Sequence, residues 1–97
     1  MDLRQMRYFL AVAEERNFNR AAERLHIAQP PLTRQIRALE DELDTLLFVR
    51  TPKGVELTEA GAALLDEVPN LLSLAQRARE RTQLAGQGRT GRLDVGI

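Results

Sequence analysis

For bond-making chemistry the 97 residues offer little: one histidine, no cysteine, and no paired nucleophile and base. No glycine-rich phosphate loop is present. The acidic run Glu40, Asp41, Glu42 and Asp44 lacks the glycine and the alternation of a calcium loop, and reads as a solvated helix end. The one histidine, His26, falls in a tight turn, a surface or half-buried position rather than that of a general base. These side chains are arranged for recognition instead. In HIAQPPLTRQIRALE, residues 26–40, Gln29 carries an amide suited to the N6 and N7 edge of adenine, and the rings of Pro30 and Pro31 suit a thymine methyl. Thr33 suits a base or a phosphate, Arg34 suits guanine O6 and N7 or a phosphate, and Arg37 suits backbone. Arg50 and Lys53 add cations for backbone or minor groove, and Asn17 joins the set upstream.

Two adjacent prolines decide where that set sits. Leu32, Ile36 and Leu39 recur at steps of four and three, one face of a helix. A proline in a helix interior costs roughly 3 kcal/mol. The first N–H groups of a helix have no partner within it, so a first-turn proline forfeits no bond. Pro30 and Pro31 therefore open a helix over about 29–43. At ~100° per residue, Pro30, Arg34 and Arg37 lie opposite a buried stripe of Leu32, Ile36, Leu39 and Leu43. Pro31 and Thr33 flank the stripe, and Gln29 projects at the tip.

Upstream, Leu3, Met6, Phe9, Leu10, Val12 and Ala13 predict an amphipathic helix over 3–14. Asn17 is an N-cap for a second helix, FNRAAERL, whose Ala21 and Ala22 let another helix approach closely. A short connection to the third helix makes a helix-turn-helix over about 18–37. Charge is polarised along this unit, although the formal net charge is zero. Five arginines (Arg16, Arg20, Arg24, Arg34, Arg37) stand against Glu23 alone before the acidic run begins. A polyanion would meet this unit in one orientation.

Beyond it, Leu46–Val49 and Val55–Leu57 are short β-prone runs around RTPKG, predicting a hairpin with Arg50 and Lys53 near its tip. A plain connecting turn is the alternative. Thr58 caps a long helix whose Leu64, Val68, Leu71, Ala75, Ala78, Thr82 and Ala85 form a heptad seam. Residues 59–85 would make a rod of roughly 40 Å, too long for the head to cover, so much of the seam is expected to meet another chain. The alternative is a helix folded back on its own domain. Gly61 and Pro69 weaken this helix, and Pro69 should kink or break it. GQGRTGR, 86–92, reads as a hinge, and LDVGI alternates like a strand opening a second domain. The chain is thus expected to be a piece of a longer protein. Its length and 43% apolar content suit one small domain; the charged, amphipathic start is not expected to be a secretory signal, and no apolar run approaches the length of a membrane span.

Residues 9–61 resemble the DNA-binding region of LysR-type transcriptional regulators, matching in order NFNRAAERL, QPPLTRQI, LE.EL, LF.R and LTEAG. The resemblance implies a mainly α, winged helix-turn-helix head (1–58) on a dimerising linker helix (59–86). The remaining 87–97 would be the hinge and first strand of an effector-binding domain that takes a small molecule; no cofactor is expected within these residues. It implies a cytoplasmic bacterial protein that binds promoter inverted repeats as a homodimer, tetrameric at full length, with RNA polymerase as a further partner. The residues Gln29 to Arg34 would enter the major groove and Arg50 and its loop approach the minor groove. Three positions depart from the pattern. Ala28 replaces a frequent serine and loses a capping hydroxyl, and Val49 replaces a common glutamate. Asp44 replaces the usual glycine, so that helix end should close without the easy left-handed cap. A rival of another class is a winged-helix protein–protein interaction module.

Overall fold

Asp2 opens the first helix, α1 (Leu3–Glu15), with a reciprocal capping box: its carboxylate accepts from the Gln5 N–H at 2.7 Å. The Gln5 side-chain oxygen accepts in return from the Asp2 N–H at 3.2 Å. The Gln5 amide then reaches Gln35 at 3.3 Å, tying α1 to α3 (Gln29–Leu43). Between them lies α2 (Phe18–Leu25), started by Asn17, whose Oδ1 accepts from the Arg20 N–H at 2.9 Å. The hairpin of β1 (Phe48–Thr51) and β2 (Gly54–Leu57) and the long α4 (Glu59–Gly96) follow. The computed structural model describes the backbone of residues 1–96 and the side chains of residues 1–88.

Apolar periodicity closes the core as expected: Met6, Phe9 and Val12 of α1, Ala21 and Ala22 of α2, and Leu32, Ile36 and Leu39 of α3 are buried together. Leu43 does not join them. It is 37% exposed, because α3 ends there and its last turn overhangs the core.

All three head helices end on a left-handed residue that is not glycine, namely Arg16, His26 and Asp44. Asp44 thus adopts the cap that the sequence was expected to forgo, at φ 54° and ψ 40°. Aspartate tolerates this region better than most residues. Its N–H bonds the Asp41 carbonyl at 3.2 Å, and the Thr45 N–H bonds that of Glu40 at 3.1 Å.

The hairpin is antiparallel, with Phe48 opposite Leu57 and Thr51 opposite Gly54 around a turn of Pro52 and Lys53. Its first strand starts later than the expected Leu46. The backbone of Leu46 and Leu47 is committed elsewhere: Thr58 Oγ1 donates to the Leu46 carbonyl at 2.6 Å, and the Leu47 N–H donates to Glu40 at 2.7 Å. Gly54, at φ 131°, lets β2 pass against α1; a Cβ there would lie 2.7 Å from the Arg16 carbonyl oxygen. That same oxygen accepts from the Val55 N–H at 3.2 Å, pinning the hairpin to the end of α1.

Thr58 caps α4 as expected, accepting from the Gly61 N–H at 3.0 Å. Gly61 is no mere weak point, since a Cβ there would sit 2.2 Å from the Leu47 carbonyl oxygen. Helix continues through Pro69 without a break; Pro69 is exposed while its neighbour Val68 is fully buried and holds the turn against the core. The first part of the expected seam therefore packs inward. Val68 is 0% exposed, and Leu64 and Leu71 pack half-buried on the same core. Ala75 is half-buried and Ala78 exposed, while Leu74, off the expected seam, is 56% exposed. Helix also replaces the hinge expected at 86–92 and the strand expected from 93, as far as Gly96. A lone strand needs a neighbour for its N–H and C=O groups, whereas a helix satisfies them internally. Ile97 lies outside the described residues.

Candidate nucleic-acid interface

The amino end of α3 has no side-chain cap, since Ala28 offers none. Its first turn instead presents Gln29, Pro30 and Pro31. Pro30, Arg34 and Arg37 are exposed on one face, and Gln29, Pro31 and Thr33 are half-buried beside it, as the helical spacing predicts. The Gln29 amide donates to Thr33 Oγ1 at 2.5 Å, so two of the base-reading candidates are fixed to each other.

Packing then brings distant residues to this end. Asn17, Gln29 and Arg50 line one groove of about 260 Å³, together with Phe18, Asn19 and the Thr51–Pro52 edge of the hairpin. Thr33, Arg37 and Arg50 meet around a smaller recess beside Phe18 and Phe48. Lys53 stands apart at the hairpin turn, its backbone N–H held by Thr51 Oγ1 at 3.3 Å. Asn17 spends its side-chain oxygen on capping α2, which leaves its amide hydrogens for a ligand.

Charge is distributed more selectively than the composition suggests. Arg24 is occupied, bonding Glu14 at 2.6 Å and Glu15 at 3.2 Å. These hydrogen bonds, that to Glu14 foremost, raise its already high pKa further. Among the described residues Arg16, Arg20, Arg34, Arg37, Arg50 and Lys53 form no ion pair; of these Arg50 lines the groove and, with Arg37, the smaller recess. At the other end of α3, Glu40 is no mere solvated acid. Its half-buried carboxylate accepts from the Leu47 and Phe48 N–H groups at 2.7 and 3.3 Å and so sets where the hairpin begins.

Four contributors were missed in the sequence: Phe18, Asn19, Thr51 and Glu40. The Asn19 and Thr51 side chains carry no local pattern, and the role of Glu40 appears only once the chain has turned back on α3.

The family model for the bacterial regulatory helix-turn-helix protein, lysR family, matches residues 3–62. The chain belongs to the LysR family. This LysR-family chain is 54% identical over 95 residues to the HTH-type transcriptional regulator TfdT of Cupriavidus pinatubonensis, spanning 98% of itself and 42% of that protein. It is 50% identical over 97 residues to BudR of Klebsiella aerogenes, covering 68% of it. Among solved structures, the crystal structure titled CbnR_DBD-DNA complex superposes with a TM-score of 0.84 at 48% identity, over 89% of this chain and 99% of that one.

Proposed function

We propose that the chain is the sequence-specific, double-stranded-DNA-binding domain of a bacterial LysR-type transcriptional regulator. The amino end of α3 lies in the major groove and the hairpin beside the minor groove. One observation carries this reading: the uncapped start of α3, with exposed Pro30, Arg34 and Arg37, shares a groove with Arg50 and Asn17. The helix dipole and the N–H groups that remain free there, Pro30 and Pro31 having none, favour phosphate at such an end. The match to the CbnR_DBD-DNA complex supports it.

Two copies bind an inverted repeat. The positions left exposed on α4 are Leu74, Ala78, Thr82 and Ala85, and on this reading the dimer contact lies there rather than at Leu64 and Val68. RNA polymerase is a further partner, tetramers form at full length, and a small-molecule effector binds in the part of the regulator that this chain does not span. The role is regulatory rather than enzymatic, supported by the names of the relatives. No helix among the described residues is long and apolar enough to cross a membrane; a cytoplasmic location is part of the same reading.

Selection of duplexes from a random library at moderate salt tests this. An enriched inverted repeat is expected, its half-site spacing reporting the dimer. Binding without enrichment that vanishes steeply with salt is phosphate attraction alone and would favour the protein–protein module.

A further inference from the structure

We propose that Phe18 is a positioning residue for the wing: it holds the Arg50 guanidinium over its ring, aimed at the phosphate strand bordering the recognition-helix tip, and leaves the minor groove to Lys53. This rests on the DNA-binding reading above and resolves which cation goes where.

The Arg50 Cζ lies 5.0 Å from the centroid of Phe18, within the range of a cation held on a ring face. The ring consumes none of the N–H donors at the guanidinium edge, and Arg50 forms no ion pair among the described residues. Phe18 is itself anchored. It meets Phe48 edge-on at 6.1 Å and 73°, and Phe48 packs on Phe9 at 5.2 Å. Phe9 is fully buried, so a continuous aromatic line runs from the core to the guanidinium.

Phe18 is also the first residue of α2, next to Asn17. A guanidinium held on its ring is thereby drawn back from the hairpin turn toward the α2 start and Gln29, with which it lines one groove. It also borders the recess of Thr33 and Arg37. Lys53 has no such tether among the described residues, and it stands in the turn between β1 and β2, its backbone N–H held by Thr51. The wing's two cations are thus divided between two parts of the duplex.

The test uses the 97-residue chain and two mixed-sequence duplexes of equal length, one with A·T-rich and one with G·C-rich flanks, read by fluorescence anisotropy across a salt series. Arg50→Ala should weaken both complexes equally and lower the log–log salt slope by about 1. Phe18→Leu should weaken both by about three-fold, and should cost nothing further once Arg50 is alanine. Phe18→Tyr, which keeps the ring, should restore binding. Lys53→Ala should weaken the A·T-flanked duplex more, because its minor groove is narrower and more negative.

A Phe18→Leu loss of the same factor with and without Arg50 would reduce Phe18 to a packing role and overturn the proposal. So would an Arg50→Ala loss confined to A·T-rich flanks. Should Phe18→Leu not fold, Arg50→Lys carries the test: it keeps the charge and loses the planar stack, and undiminished binding would overturn the assignment. Wild-type chain that binds neither duplex would bring down the DNA reading itself, a result distinct from any pattern among the variants.

Discussion

The two ends of α3 belong to one helix and do opposite things. At the carboxyl end the chain is tied down: Glu40 holds the Leu47 and Phe48 N–H groups, Asp44 closes the cap, and Glu42 accepts from the Met1 ammonium at 2.6 Å. At the amino end the cap is missing, the prolines have no N–H to satisfy, and the arginines have no carboxylate. The committed end fixes where the hairpin and α4 go. The open end is left for a partner that the chain does not contain. Free functional groups therefore locate an interface better than net charge, which is zero here.

Substitutions at the two ends should separate stability from binding. The largest effect is expected just past the committed end, at Gly61→Ala. The new Cβ, 2.2 Å from the Leu47 carbonyl oxygen, should cost about 3 kcal/mol in urea denaturation. Glu40→Ala leaves two N–H groups near the core without their acceptor and should cost about 2 kcal/mol, again with its main effect on folding. At the open end the readout changes. Arg34→Ala should leave the melting temperature in place while weakening a selected duplex by about ten-fold; equal losses in both would erase the contrast. Smaller still, Ala28→Ser should supply the missing cap and add about 1 kcal/mol of stability. The smallest change is expected at Asp44→Gly, a gain of roughly 0.5 kcal/mol from relieving the left-handed aspartate, read as a slight rise in melting temperature.

The helices of the head were legible because their signals are local. Leu32, Ile36 and Leu39 announce a face, Asn17 a start, and the paired prolines a first turn; all stand where periodicity put them. The exposure of Pro30, Arg34 and Arg37 on one face followed from the same count. What escaped was set by contacts distant in sequence. Leu46 and Leu47 look like strand until Glu40 and Thr58 take their backbone groups. Val68 looks like a dimer seam until the core of the head covers it. A heptad pattern says that a helix has an apolar stripe, and says nothing about whether the neighbour is the same chain or another. Arg24 counts as free positive charge until Glu14 and Glu15, a helix away, claim it.

The prolines at the start of α3 also act on the chain before it meets anything. Two pyrrolidine rings in succession, preceded by a residue they restrict in turn, narrow the conformations open to the unfolded segment. The end that faces a partner thereby gives up less conformational freedom on folding than a first turn without prolines would. Less disorder is then lost on association. By calorimetry, the entropy of duplex binding should be less unfavourable for this chain than for a Pro30→Ala, Pro31→Ala variant.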